Sequence, residues 1–342
     1  MRLLLGGEKL SNPAFVDRAY RGLLGREPDD RGFRGYVGGL TSGSLCRADV
    51  VYSFLDSQEF GKRLRTTQRV SNEPLRRLAR LRAYLTDYSQ RMFYARRLLP
   101  PLLMRRRVGE RLGDLSGRAF EITGWRFVEK LIQDGGLVPE VRILDLGSGC
   151  GRIAIPLTDV IGPAGLYRGL EPVRAMVKWC QRKITPRFPQ FQFAHCDVQN
   201  KVYNPRGREK PEGFRLPYDQ NYFDLVVAIS VFTHLLPDAA LNYMRECSRV
   251  LKRQGILFAT FFLLDSGSTS IDGKLCFVHS VQDIVTSVDR EFPEKAVAYH
   301  ARWLLDVSRR STLEIAPPIR WGGWSGRAPG YSYQDVLIFR KE

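Results

Sequence analysis

From about residue 119 onward, short apolar runs rich in β-branched residues alternate with stretches whose apolar positions recur at helical spacing. The runs are Val141 to Leu146, Gly165 to Leu170, Gln190 to Ala194, Phe223 to Ile229, Gly255 to Phe262, Leu313 to Ile315 and Val336 to Phe339. Such alternation predicts an α/β domain over 119–342, with a doubly wound parallel sheet covered by helices on both faces. Ahead of it the pattern is helical only. Asn12-Pro13 reads as a helix start, and Phe15, Tyr20, Leu23 and Leu24 form a stripe that Gly25 ends. A second helix enters at Asp29-Asp30 and carries Phe33, Tyr36, Val37 and Leu40. After Thr41-Ser42-Gly43-Ser44 a third carries Val50, Val51, Phe54 and Leu55, so residues 1–60 read as a small all-helical domain.

The stretch between the two, 61–118, changes the picture through charge. It holds 16 Lys+Arg against 4 Asp+Glu, so +12 of the chain's net +17 lies there. Leu78, Leu81, Leu85, Tyr88 and Met92 mark one helix face, and Arg76, Arg77, Arg80, Arg82 and Arg91 decorate the rest. Pro100-Pro101 interrupts the pattern before Leu102-Leu103-Met104 and Arg105-Arg106-Arg107. A basic amphipathic linker of this kind suits an anionic membrane surface, or is a solvated face on a helix packed against the next domain.

Composition sets outer limits. At 44% apolar and 26% charged, a chain of 342 residues has material for a large core, and 31 Gly and 19 Pro exclude collagen-like or low-complexity classes. There is no apolar run of the roughly 18 residues that a membrane span needs. The N-terminal Met-Arg-Leu-Leu-Leu-Gly-Gly-Glu-Lys meets charge before reaching the length of a signal peptide's apolar core. Cys46, Cys150, Cys180, Cys196, Cys247 and Cys276 include no C-x-x-C pair, and read as buried thiols of a reducing cytoplasm.

The sharpest local signal is Val141-Arg142-Ile143-Leu144-Asp145-Leu146-Gly147-Ser148-Gly149-Cys150-Gly151-Arg152, which runs into the helical Ile153-Ala154-Ile155-Pro156-Leu157. A strand entering glycines and then a helix lets a ligand approach bare backbone. Glu171, 20 residues past Gly151, ends the next strand, where a carboxylate can accept hydrogen bonds from both hydroxyls of a ribose. A dinucleotide motif would need glycine where Arg152 stands, and Asp145 would repel a pyrophosphate. An adenosyl ligand with a sulfonium and a cationic amino-acid tail is attracted instead, which describes S-adenosylmethionine. Asp197 in Ala194-His195-Cys196-Asp197-Val198, the strand Phe223 to Ser230, and Val250-Leu251-Lys252-Arg253-Gln254-Gly255 follow in order.

On these motifs the segment 119–342 resembles the class I S-adenosylmethionine-dependent methyltransferases, with their Rossmann-like seven-stranded sheet. The resemblance implies that Asp145, Gly147, Ser148, Gly149 and Gly151 hold the amino-acid moiety and Glu171 the ribose. It implies that Asp197, beside Val198, contacts the adenine amino group, and that Ser230 ends the fourth strand at the cofactor. The usual Pro-Gly-Gly before the fifth strand is Arg-Gln-Gly here. The N-terminal string Tyr20-Arg21-Gly22-Leu23-Leu24-Gly25-Arg26-Glu27-Pro28-Asp29, with Phe54-Leu55-Asp56-Ser57-Gln58-Glu59-Phe60, resembles a small helical bacterial module known only as a domain of unknown function. That module recurs in cell-surface proteins and beside glycan-processing enzymes, and Tyr36 replaces its usual tryptophan. The resemblance implies an accessory role.

Methyl transfer to an alcohol needs alignment and a nearby proton acceptor. His234, just past the fourth strand, is the first candidate, against an alternative role in ordering its loop. His279 and Asp265, in the insertion after the fifth strand, are the others, with packing and turn capping as their alternatives. Ile319-Arg320-Trp321-Gly322-Gly323-Trp324-Ser325-Gly326-Arg327 pairs flat aromatic faces with planar donors, which suits sugar rings. A loop of this kind, ahead of Tyr333-Gln334-Asp335, lines the acceptor site in a subset of the resembling enzymes. Trp321, Trp324 and Arg327 are therefore acceptor-binding candidates. A saccharide or small-molecule hydroxyl is the expected acceptor, and the expected location is the cytoplasm, at the inner face of the membrane. The +17 charge raises nucleic acid as an alternative partner, but the Asn/Asp-Pro-Pro-aromatic string of base-methylating relatives is replaced by Ser230-Val231-Phe232-Thr233, which argues against it. A noncatalytic scaffold is the third reading. No metal-ligand spacing is visible, so S-adenosylmethionine is the one expected cofactor. The stretch 200–221 reads as a mobile loop.

Overall fold

The computed structural model describes residues 11–24, 26–42, 45, 50, 53–54, 59, 98–109, 117–264, 275–282, 284–326 and 330–342. The chain divides into two compact units, Met1–Phe93 and Tyr94–Glu342. The boundary falls inside the stretch expected as a linker.

In the first unit, helix α1 (Asn12–Ala19) runs on through a wider turn at Tyr20–Leu24, and α2 (Asp30–Ser42) follows. Asp29 begins α2 by accepting the Gly32 N–H at 2.8 Å. Phe15, Val16, Ala19, Tyr20, Leu24, Val50 and Phe54 form the core, and Phe33, Tyr36, Val37 and Leu40 pack against it. Tyr36 sits edge-on to Phe54 at 5.0 Å and accepts the Ser53 hydroxyl at 2.8 Å.

The second unit opens with α3 (Leu102–Arg107) and α4 (Arg118–Asp134). Its main sheet comprises β1 (Arg142–Leu146), β2 (Leu166–Glu171), β3 (Phe191–His195), β4 (Phe223–Ala228) and β5 (Leu251–Phe261), with two further strands below. Between these strands lie α5 (Ala154–Leu157), α6 (Arg174–Lys183) and α7 (Pro237–Val250). An insertion supplies β6 (Leu263–Leu264), β7 (His279–Val281), β8 (Val285–Ser287) and β9 (Val297–His300), which form a separate four-stranded sheet. Then come α8 (Ala301–Arg310), β10 (Leu313–Arg320) and β11 (Asp335–Lys341).

The strand order is β10-β11-β5-β4-β1-β2-β3, with β11 antiparallel to both neighbours. This is the expected Rossmann-like seven-stranded sheet, and each apolar run falls on one of its strands. Two core layers cover its faces. One includes Leu144, Val226, Phe261 and Phe339, the other Ile143, Tyr167, Phe191 and Phe258. Alternate residues of one strand enter opposite layers, which is why these runs are apolar on both faces over most of their length. The connections leave β1 in opposite directions, toward β2 and toward β4, and a ligand crevice opens beyond the strand ends at such a reversal.

The segment 200–221 is anchored, unlike the mobile loop expected. Phe214 and Leu216 are buried in the core, Asn242 donates to the Pro211 and Phe214 carbonyls at 2.9 Å, and Glu246 accepts the Leu216 N–H at 2.8 Å. Its apolar anchors are two residues in a polar stretch, too few for a periodicity reading to register.

Candidate active site

A cavity of about 350 Å³ opens at the carboxyl ends of β1, β2 and β4. β1 delivers its loop there because Gly147 and Ser148 donate their N–H groups back to the Leu170 carbonyl at 2.8 and 3.2 Å. Gly147 and Gly149, at φ +68° and +56°, line the cavity. A Cβ on Gly149 would stand 2.7 Å from Val108 Cγ1, and one on Gly147 2.9 Å from Val231 Cγ2, so both positions need bare backbone. Gly151 packs the loop toward Ile184, and Ser148 is buried beside Gly169; neither lines the cavity.

Glu171 ends β2 with its carboxylate against the cavity wall. Its oxygens accept the Gly149 N–H at 2.9 Å and the Val173 N–H at 2.8 Å, which fixes the carboxyl plane. Burial pushes its pKa up to about 7 in spite of those bonds and of the nearby Arg107. Asp145 lies behind the lining. It accepts the Tyr167 hydroxyl at 2.5 Å, and burial pushes its pKa to about 7 as well. It therefore positions the loop from beneath instead of facing a ligand's ammonium group.

At β3 the expectation divides. Val198 lines the cavity, with Cys196. Asp197 does not: its carboxylate accepts Arg208 Nε at 2.7 Å and the Asn204 amide at 3.2 Å, and this pairing holds its pKa below the usual carboxylate range. An adenine contact from this segment is left to Val198 and its neighbours.

Beyond β4, Ser230 lines the cavity at φ +59°, donating its N–H to Thr260 Oγ1 at 2.7 Å and its hydroxyl to Gln334 Oε1 at 2.8 Å. His234 also lines it. The Glu294 carbonyl lies 2.8 Å from Nδ1 and can only accept, so Nδ1 carries the proton and Nε2 is the free base. Nε2 accepts the Tyr203 hydroxyl at 3.2 Å. Burial holds this imidazole below its ordinary pKa, so it is neutral near pH 7. Asn200 binds the pair together: its Oδ1 accepts the Val202 and Tyr203 N–H groups at 3.0 Å, and its amide donates to the His234 carbonyl at 3.3 Å.

Sequence reasoning missed Tyr203 and Asn200, which belong to the supposed loop, and also the strap formed by α3. Leu99, Met104 and Val108 of this strap pack on Phe120, Cys150 and Met176. Arg152 donates to the Val108 carbonyl. Arg106, Arg107, Val108 and Gly109 thereby line the cavity. Arg105 points inward, fully buried, and donates to the Pro100 carbonyl at 2.7 Å. Arg106 and Arg107 thus belong to the site's wall, and Arg105, fully buried, is not available as an outward lipid contact.

The other candidates lie apart. His279 sits on β7 of the small sheet, outside the lining. Trp324, expected to stack on an acceptor, is 2% exposed and packs edge-on against Phe262 and Phe277 at 5.2 and 5.4 Å. Its indole N–H donates to Asp335 at 2.7 Å, and Asp335 also accepts the Gly322 and Leu263 N–H groups. The glycine-rich loop is pinned to the sheet by that buried carboxylate. Trp321 is half-buried against one core layer. Asp265 and Arg327 fall outside the described residues.

Residues 144–259 match the methyltransferase-domain family, and residues 5–64 match a domain of unknown function, DUF4214. Among solved structures, the chain is similar to a protein from Pyrococcus horikoshii at 13% identity and a TM-score of 0.47, covering 67% of this chain and 92% of that one. It is similar to the magnesium protoporphyrin IX methyltransferase of Synechocystis, solved with bound S-adenosylhomocysteine, at 17% identity and 0.41, covering 65% and 83%. A third is the Burkholderia thailandensis 1,6-didemethyltoxoflavin N1-methyltransferase, at 14% and 0.39, covering 63% and 76%. The domain is a methyltransferase domain and its cofactor is S-adenosylmethionine. The bare glycines, the ribose-competent Glu171 and the cavity between them fit that ligand.

Proposed function

We propose that this S-adenosylmethionine-dependent methyltransferase domain methylates a hydroxyl group, and that the acceptor is a bacterial envelope saccharide or a related small molecule. The observation that carries the hydroxyl reading is the neutral His234, its Nε2 bonded to the Tyr203 hydroxyl inside the cavity. When bound, the cofactor supplies a methyl group on a sulfonium, open to in-line displacement by an acceptor oxygen. The proton that the acceptor hydroxyl must lose passes to the Tyr203 oxygen as the proton of Tyr203 moves to His234 Nε2. The resulting imidazolium keeps its Nδ1–H bond to the Glu294 carbonyl. Gly147, Gly149 and Glu171 hold the cofactor, and Val198 and Ser230 shape the wall around it.

The saccharide reading rests on the N-terminal module, whose sequence resembles modules found beside glycan-processing enzymes. The basic residues of 61–97 support attachment at the cytoplasmic face of the membrane; that stretch lies outside the described residues. Among those described, no helix is long and apolar enough to cross a membrane. The test is incubation with methyl-labelled S-adenosylmethionine and separated pools of lipid-linked glycan, nucleotide sugar, RNA and small metabolites. Label in a saccharide pool, stable to base as an ether, supports the reading. Label confined to RNA overturns it. Salt-sensitive sedimentation with anionic vesicles tests the attachment, and indifference to such vesicles removes it.

A further inference from the structure

The cavity carries more positive charge than its cofactor can use. Its lining includes three arginines, Arg106, Arg107 and Arg152, against one acidic residue, Glu171. That carboxylate already accepts two backbone N–H groups. S-adenosylmethionine adds a sulfonium and an ammonium against one carboxylate of its own, so binding it raises the positive excess. Arg152 is committed to the Val108 carbonyl and secures the strap. Arg106 and Arg107 end α3, are exposed at the cavity wall, and have no ion pair among the described residues. Even if the cofactor's carboxylate engages one guanidinium, the loaded cavity is strongly cationic.

An acceptor must enter that field, and guanidiniums at the wall of a partly desolvated cavity favour an anion that presents two acceptor oxygens at once, as a phosphate group does. Building on the hydroxyl-transfer reading above, we infer that Arg106 and Arg107 form an anion subsite for a phosphate or pyrophosphate carried by the acceptor. The strap thereby selects acceptors by charge, and the methylated hydroxyl belongs to a phosphorylated or pyrophosphate-linked molecule. Such a group is found both on nucleotide-linked and on lipid-linked saccharides.

The experiment titrates inorganic pyrophosphate into the full chain saturated with S-adenosylhomocysteine, by calorimetry at low salt. Binding is expected in the wild type. Arg106→Gln/Arg107→Gln should weaken it by about tenfold or more. Arg309→Gln, an exposed change on α8, should leave it within about twofold, in the range of a distant surface charge. Uridine diphosphate glucose and a detergent-solubilised polyprenyl diphosphate then compete for bound pyrophosphate, and the stronger competitor identifies the source. Absence of pyrophosphate binding overturns the inference, as does equal binding in the double variant. So does a double variant that loses S-adenosylhomocysteine while keeping pyrophosphate, which would assign both arginines to the cofactor. Displacement by a short single-stranded RNA but by neither diphosphate also overturns it. Failure here is separable from failure of the hydroxyl reading: label found on an uncharged saccharide refutes only the anion subsite, while pyrophosphate binding without any ether product refutes only the reaction.

Discussion

Glu171 gives the most direct test of how burial sets cofactor affinity. Burial raises its pKa from 4.5 to about 7, although Gly149 and Val173 both donate to it. An ionised carboxylate can accept from both ribose hydroxyls, whereas the acid form has a proton in the way. Adenosine isolates this contact, because it lacks the amino-acid tail, whose ammonium titrates in a nearby range. With a pKa of about 7, the ionised fraction rises about tenfold between pH 6 and pH 8, worth about 1.4 kcal/mol. Adenosine affinity measured by calorimetry should therefore rise about tenfold over that interval, with about one proton released at pH 6. Glu171→Gln should flatten the profile. It should also weaken binding at pH 8 by about 1 to 3 kcal/mol, since an amide turns an NH2 toward one of the two backbone donors. The unliganded protein feels the same ionisation in the opposite sense. A carboxyl whose folded pKa is raised stabilises the fold below 4.5, and that contribution is lost as the pH rises through about 7. Asp145, also near 7 but outside the lining, adds to the stability loss without touching adenosine. An adenosine affinity that is flat from pH 6 to pH 8, or falls, would refute the reasoning.

Tyr203→Phe removes the donor that favours neutral His234, so the imidazole pKa should rise in an NMR titration, and methyl transfer should fall while S-adenosylhomocysteine affinity holds; an unchanged titration would show that the pair is not coupled. Asp335→Ala strands the Gly322, Leu263 and Trp324 N–H groups in the core. The expected cost is about 3 to 5 kcal/mol, a melting point lower by roughly 10 °C in calorimetry, and a shift below about 3 °C would sink the assignment of Asp335 as the loop's anchor. Gly149→Ala places a Cβ 2.7 Å from Val108 in a left-handed conformation that costs about 1 to 2 kcal/mol. Lifting of the strap should follow, read as weaker S-adenosylhomocysteine binding and faster proteolysis near residue 108; wild-type behaviour in both assays would argue against the contact.

The sequence by itself determined the sheet and the cofactor loop, because both rest on local regularities. A run of apolar residues buried on both faces has no reason to alternate, so the central strands β1 and β4 announce themselves. Glycines at positive φ just after a strand end are likewise a local arrangement, and Gly147 and Gly149 line the cavity, as does Glu171 at the end of the next strand. What the tertiary structure decided is which way each side chain faces and what else comes to meet it. Asp197 has the right place in the chain, yet it turns to Arg208, a partner 11 residues away in a loop without periodicity. Trp324 has the chemistry of a sugar platform, but Asp335, 11 residues on, draws its indole into the core. Arg106 and Arg107 lie more than 35 residues before the first cofactor glycine, in a segment whose composition reads as linker. They reach the cavity because Leu99, Met104 and Val108 pack the strap onto Phe120 and Cys150, and because Arg152 holds its end. Contacts of that length depend on shape complementarity between surfaces that exist only once the sheet has formed.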